Sequence, residues 1–146
     1  METLKILWMN WRDIKNPDAG GAEVFTHEVA KRLAAQGHQV TLFTSEFPGS
    51  KRKEIMDGVE VIRSGGKYTV YLNAKTQYRR VFSREDYDLV IDEINTRPFL
   101  TPRFVRKEKI VGLIHQLAGE YWFYETPFPI NYIGYHYLEK SWLRPY

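Results

Sequence analysis

The apolar residues of the chain fall into short runs, separated by polar segments that contain glycine. Leu4–Trp11 is a run with little alternation, which predicts a strand that is buried on both faces. The period becomes helical over Ala22–Gln36, and Gly37 is suited to end that helix. Gln39–Thr44 is predicted to be a second strand, because it is rich in β-branched and aromatic residues. This order of strand, loop, helix and strand indicates a βαβ unit and therefore a parallel sheet.

The helix of this unit is predicted to be amphipathic. Its apolar stripe is expected to face the sheet, and its charged residues are expected to face away from it. The stripe consists of Ala22, Phe25, Val29 and Leu33, and the outward residues are Glu23, Glu28, Lys31 and Arg32.

Strands and helices continue to alternate along the rest of the sequence. Further strands are predicted at Val59–Arg63, Asp88–Ile94 and Lys109–His115. The other predicted segments are a polar loop at Phe47–Met56, a helix at Tyr68–Arg84, a short helix at Phe99–Val105, an aromatic loop after His115, and a helix from about Asn131 to Leu143. We therefore predict a single Rossmann-like, doubly wound α/β domain over residues 1–146, with a mainly parallel sheet and helices on both faces.

Composition excludes several classes of protein. With 146 residues, 43% of them hydrophobic, the chain can bury one core of ordinary size. The absence of cysteine rules out disulfides, thiolate zinc sites and cysteine nucleophiles. A net charge of only +3 gives no indication of nucleic-acid binding. No apolar run resembles a signal peptide or a membrane span, so we expect a cytoplasmic protein that is at most peripheral at a membrane.

Aromatic residues are concentrated near the end of the sequence. Ten of the 22 lie between Tyr121 and Tyr146. Ile130, Ile133, Tyr137 and Leu138 are expected to pack on the sheet, which would leave others such as Tyr135 and Trp142 exposed. Exposed rings would mark contact with a protein, a membrane or an acceptor; alternatively, the rings complete the core. The basic groups at 51–53, 79–80 and 103–109 would attract anionic lipid or are simply solvated.

Polar and glycine residues follow three of the predicted strands at the edge where ligands bind in such sheets. The three loops span Asn10–Gly21, Asp92–Pro98 and His115–Glu120. Gly20 and Gly21 stand at the start of the first helix, where a phosphate or a sugar hydroxyl could approach the backbone closely; the alternative is a plain tight turn. Glu23 either binds a ligand hydroxyl or only favours the helix dipole as a first-turn acid.

The other two loops carry candidate ligand-binding side chains. His115 ends a predicted strand, where an imidazole could donate a hydrogen bond or move a proton, although a lone histidine is more often structural. Asp92, Glu93, Asn95 and Thr96 form a polar segment that either contacts an acceptor or satisfies the loop. The sequence has neither a dinucleotide-binding glycine fingerprint, which argues against an oxidoreductase, nor a phosphate-binding P-loop. It also contains no metal-binding motif, so no metal is expected.

Three segments together resemble a known family. Asn16–Glu23 (NPDAGGAE), Gly37–Thr44 (GHQVTLFT) and Leu113–Glu125 (LIHQLAGEYWFYE) are similar to the amino-terminal domain of family-4 retaining glycosyltransferases of the GT-B fold. The resemblance implies two Rossmann-like domains, the first binding mainly the acceptor and the second the nucleotide-sugar donor. It implies that Gly20 and Gly21 approach the donor's diphosphate or its sugar, that His115 is catalytic beside the reacting sugar, and that Asn95 and its neighbours line the acceptor side. It implies no metal or other cofactor.

The chain is about half as long as such an enzyme. We therefore expect a piece of a longer protein that lacks the donor domain and is inactive alone, or else a partner domain on a separate chain. The acceptor would be a sugar, a lipid-linked molecule or a small molecule. The alternative function is a noncatalytic Rossmann-like module that binds a phosphate or sugar ligand, or a protein.

Overall fold

A six-stranded sheet organises the part of the chain that the computed structural model describes, residues 2–146. The strand order across the sheet is β3-β4-β2-β1-β5-β6. The strands are β1 (Lys5–Met9), β2 (Gln39–Thr44), β3 (Lys53–Met56), β4 (Val59–Arg63), β5 (Leu89–Thr96) and β6 (Lys109–Leu117). All neighbours pair in parallel except β3 and β4. The predicted parallel strands are thus confirmed, with β5 and β6 each extending two residues further than expected.

The predicted loop at Phe47–Met56 was wrong in its second half. Lys53–Met56 is an edge strand that pairs antiparallel with β4 in a hairpin. Asp57 and Gly58 form the two-residue turn, and both have positive φ, 49° and 82°. An Asp-Gly pair with this backbone suits the tight turns of hairpins. The polar composition of the edge strand concealed it, because Ile55 is mostly exposed.

Helices cover both faces of the sheet, as a doubly wound fold requires. On one face α1 (Gly21–Ala35) packs over a cluster that includes Ile6, Trp8 and Ile91. On the other face α2 (Val70–Arg80) packs over a cluster that includes Leu7, Met9, and Val90. Alternate residues of β1 therefore enter opposite cores. Two 3₁₀ turns, Phe82–Arg84 and Thr101–Arg103, occupy parts of the segments predicted to be helical.

The buried face of α1 differs from the predicted apolar stripe. Its fully buried residues are Glu23, Thr26 and Ala30, whereas Phe25 is 45% exposed. The prediction that Glu23 faces away was therefore wrong. The reason is that the carboxylate of Glu23 and the hydroxyl of Thr26 have polar partners from other parts of the chain, which allows them to be buried.

Helical segments follow β6 and pack mainly on one another. They are α3 (Tyr121–Glu125), in the predicted aromatic loop, and a run made of α4 (Ile130–Ile133), a π-helical turn (Gly134–Leu138) and α5 (Glu139–Leu143), where a helix was predicted.

The prediction that four apolar residues of this tail pack on the sheet was wrong. Ile130, Ile133, Tyr137 and Leu138 are 38–64% exposed. Trp142 and Tyr135 are instead half-buried, against Trp122 and Phe123 respectively. No helix within residues 2–146 is both long and apolar enough to cross a membrane.

Candidate functional site

The carboxyl ends of β1, β5 and β6 lie side by side, because these strands are neighbours in the sheet. The loop between β1 and α1 is fixed there by a buried ion pair. The guanidinium of Arg63 donates to both carboxylate oxygens of Asp13, at 2.7 and 3.1 Å, and both side chains are fully buried. Such a bidentate pair orients the loop as well as binding it. Arg63 thereby holds the segment that leads to Gly20 and Gly21.

Glu23 closes the amino terminus of α1. Its Oε2 accepts a hydrogen bond from the Gly20 N–H at 2.6 Å, and its Oε1 accepts bonds from Trp11 Nε1 at 3.2 Å and Arg12 Nε at 3.4 Å. The carboxylate therefore caps the helix and ties it to the end of β1, which agrees with its interpretation as a first-turn acid. Contact of Glu23 with an acceptor stays a prediction.

Gly20 and Gly21 have no evident structural reason to be glycine. Neither has positive φ, and Gly20 is in an extended conformation. A Cβ added at Gly20 would contact Glu23 Oε2 at an ordinary 3.6 Å, and one added at Gly21 would have no atom within 4 Å. The first bond within the helix runs from the Val24 N–H to the Gly20 carbonyl, so the N–H groups of Gly21 and Ala22 precede it. The backbone at Gly21 thus borders open space beside free helix N–H groups.

His115 is displayed by a β-bulge in β6. Ile94 of β5 pairs with Ile114, but the next residue, Asn95, pairs with Gln116, so His115 is the extra residue. Bulges re-aim side chains. The imidazole meets the ring of Phe25 edge to face, with 5.0 Å between centroids. Since Phe25 lies one helical turn after Gly21, the histidine and the glycine pair are brought to the same end of α1.

Glu93 lies beneath His115. The sequence placed Glu93 in the polar segment that contacts an acceptor or satisfies the loop, but it did not predict this contact with His115. Its Oε1 is 2.8 Å from His115 Nε2. Trp8 Nε1 donates to Oε2 at 2.7 Å, and Thr26 Oγ1 lies 2.7 and 2.6 Å from the two carboxylate oxygens. Burial raises the pKa of Glu93 to about 7, and it lowers the pKa of His115, because it disfavours the charged form of each group. The available signal was an acid inside the apolar run of β5.

Asp92 points to the opposite face of the sheet from Glu93. Its carboxylate accepts hydrogen bonds from the N–H groups of Phe99 and Thr101, the Thr101 hydroxyl and the Tyr146 hydroxyl. Burial raises the pKa of Asp92, against the effect of these bonds. The residue therefore anchors the segment that follows β5, and the structure does not bring it to the glycine pair.

Asn95 and Thr96 end β5 beside the bulge. Asn95 is half-buried and Thr96 is exposed, with a positive φ of 77°. Thr96 borders an apolar hollow of about 150 Å³ whose other walls include Ala118, Tyr121 and Trp122. The contact of Asn95 and Thr96 with an acceptor stays a prediction.

A cleft adjoins the loop that carries the glycine pair. It has a volume of about 280 Å³ and lies between the β1–α1 loop and the segment after β2. Its charged lining residues are Arg12, Asp18, Glu46 and Lys67. Sequence reasoning missed the cleft because its two walls are separate loops. Among residues 2–146 no group of three or more His, Asp or Glu side chains is arranged to hold a metal ion.

Comparison with known proteins addresses the family. Sucrose-phosphate synthase from Thermosynechococcus elongatus is similar in structure, with a TM-score of 0.61 and 15% sequence identity over 86% of this chain. This chain spans 36% of the length of that one, and at such low identity the likeness shows the fold alone, which confirms the Rossmann-like prediction. No curated protein matches the sequence. The model of Glycosyltransferase Family 4 matches residues 19–145, nearly the whole chain. This match confirms the predicted resemblance, and the chain belongs to Glycosyltransferase Family 4.

Proposed function

We propose that this chain is the amino-terminal, acceptor-side domain of an enzyme that transfers a sugar from a nucleotide-sugar donor to an acceptor hydroxyl, with retention of configuration. One observation carries the proposal: the imidazole of His115 packs on Phe25, one helical turn after the open backbone at Gly21, so both lie towards the amino-terminal end of α1. A diphosphate or a sugar can approach the first, and a hydroxyl can bond to the second.

The chain's own groups have distinct parts in this proposal. The N–H groups at the start of α1 offset negative charge on the donor, because they carry the positive end of the helix dipole. Gly20 and Gly21 keep that approach free of side chains. His115 lies beside the reacting sugar and bonds to one of its oxygens. The cleft beside Arg12 is a place for an acceptor, next to the same loop.

Donor binding is proposed to depend on a second domain. This chain spans 36% of its solved neighbour, and the groups described above serve only one side of a donor. We therefore expect the isolated 146 residues to be inactive. No metal and no cofactor other than the donor is proposed. The acceptor is a sugar, a lipid-linked molecule or a small molecule.

The same proposal includes a cytoplasmic location and peripheral contact with the inner face of the membrane. Its support is the exposed aromatic surface after β6, where Tyr124 and Phe128 are the most exposed rings. Lys140 and Arg144 lie exposed in the same tail. Aromatic rings and cations together favour the boundary of an anionic bilayer.

The glycine argument is tested with Gly21→Val in the natural protein that carries this chain. A screen of nucleotide-sugar consumption first identifies the donor. The variant is then expected to lose about 100-fold or more in transfer, because the new side chain fills the approach to the helix. Gly66→Val is the matched control, since Gly66 also precedes a helix and a Cβ there meets only Thr69 Oγ1 at 4.0 Å. Unchanged transfer in Gly21→Val would refute the close-approach argument.

His115→Ala tests the catalytic assignment. Transfer is expected to fall by about 100-fold or more while the melting temperature stays near that of the natural protein. Normal turnover in this variant would remove His115 from the site. If the natural protein consumes no donor but still binds a sugar or a phosphate ligand, the noncatalytic binding module replaces the transferase.

A further inference from the structure

The buried carboxyl of Glu93 has an unusual set of neighbours. Trp8 and Thr26 donate hydrogen bonds to it, and neither carries a charge. The charged group that faces the pair from the packed elements is Glu23, on α1, and its carboxylate is itself engaged by Arg12 at 3.4 Å. No cation within residues 2–146 other than a protonated His115 contacts the Glu93 carboxyl.

The contact between Glu93 and His115 needs a proton. Oε1 and Nε2 are 2.8 Å apart, and Nε2 is completely shielded from solvent. Two lone pairs at this distance would repel each other. The contact is also not aligned as a hydrogen bond from a ring N–H to Oε1. A carboxylic O–H can rotate about its C–O bond to point at Nε2, and the angle at an accepting ring nitrogen is less strict than the angle at a donating N–H.

The protonation states of the two groups agree with this geometry. Burial favours the neutral form of both, since it raises the pKa of Glu93 to about 7 and lowers the pKa of His115. A neutral acid that donates to Nε2 leaves the ring's own proton on Nδ1. When Glu93 ionises, the proton that it shared with His115 stays on Nε2. The proton on Nδ1 is released to solvent, and Nδ1 becomes an acceptor.

We propose that Glu93 is a positioning residue for His115, which keeps one proton between Oε1 and Nε2 and so presents Nδ1–H to an oxygen of the bound sugar. The inference rests on the proposed function for the role of that hydrogen bond in transfer. The proton bookkeeping balances: the pair loses one proton to solvent when Glu93 ionises, and Nδ1 changes from donor to acceptor. Transfer is therefore expected to decline as the pH rises through about 7.

Glu93→Gln separates this role from simple packing. The glutamine amide is nearly isosteric and donates to Nε2 at every pH, so it mimics the protonated acid. Transfer by this variant is expected to stay within about threefold of the natural protein at pH 6 and to lose the decline above pH 7. Glu93→Leu removes the bond altogether, and its kcat is expected to fall about tenfold or more with KM little changed. Glu60→Gln, at a half-buried position of β4, is the control for loss of a carboxylate and is expected to keep the natural pH profile.

Nitrogen NMR of the His115 ring gives a result that is independent of turnover. The ring is expected to carry its proton on Nδ1 at pH 6 and on Nε2 above about pH 7.5, whereas in Glu93→Gln the Nδ1–H form persists. Identical ring titrations in both proteins, or Nε2–H throughout, would overturn the inference. A protein that transfers no sugar yet shows the tautomer change would refute the proposed function and keep the Glu93–His115 pair.

Discussion

The central strands of the sheet and its edge strand β6 bury their side chains very differently. Most residues of β1, β2 and β5 are buried, whereas no residue of β6 is. Nevertheless, β6 and β5 have more paired residues than any other two neighbouring strands of the sheet. Backbone pairing thus fixes where β6 lies without covering its faces. The candidate site spans this boundary, with Glu93 on the buried strand and His115 on the exposed one.

The largest expected effect is a difference in stability between two phenylalanine variants, one in a central strand and one in the tail after β6. Phe43 in β2 is fully buried, and Phe43→Ala is expected to lower the free energy of unfolding by about 3–5 kcal/mol, through lost burial and a new cavity. Phe123 in α3 is 45% exposed, and Phe123→Ala should cost less than about 1 kcal/mol. Denaturant titrations of both variants measure the difference. Equal losses would mean that the tail is as firmly packed as the sheet.

A second test uses the buried acid at the boundary. The folded protein raises the pKa of Glu93 from 4.5 to about 7, so the folded state binds this proton more tightly than the unfolded state. The resulting stabilisation of the folded state is fully present below pH 4.5 and is lost as the pH rises to about 7. The free energy of unfolding should fall by up to about 3 kcal/mol across that window. His115, with its lowered pKa, acts in the opposite direction, losing stability as the pH falls below 6.5. Glu93→Gln should abolish the first effect and leave the second, as urea denaturation at several pH values would reveal.

The smallest expected effect lies within the tail. A Cβ at Gly134 would overlap the Trp122 ring, so Gly134→Ala forces the two segments apart. A cost of about 1–2 kcal/mol and a changed tryptophan emission are expected, because overpacking displaces the ring. Gly66→Ala is the control, since its surroundings are open. An unchanged spectrum in Gly134→Ala would show that Trp122 does not pack on this turn.

The positions of the five parallel strands were predictable because each is a local run of apolar residues, whereas the polar edge strand β3 was not. The buried face of α1 was not, because it depends on partners far along the chain: Thr26 bonds to Glu93, and Trp8 bonds to the same carboxyl. Local periodicity cannot reveal such pairs. The glycine pair and His115 were identified from their places after strands, but the contact of His115 with Glu93 depends on the bulge, which has no local sequence signal.

The bulge at His115 makes the ladder between β5 and β6 irregular, but it also places His115 beside Glu93. Deleting His115 would let Asn95 and its neighbours continue an unbroken ladder with β6, and the sheet would lose an irregularity. The same deletion would leave the acid of β5 without its partner. The residue that makes the ladder irregular is therefore the same residue that contacts the buried acid.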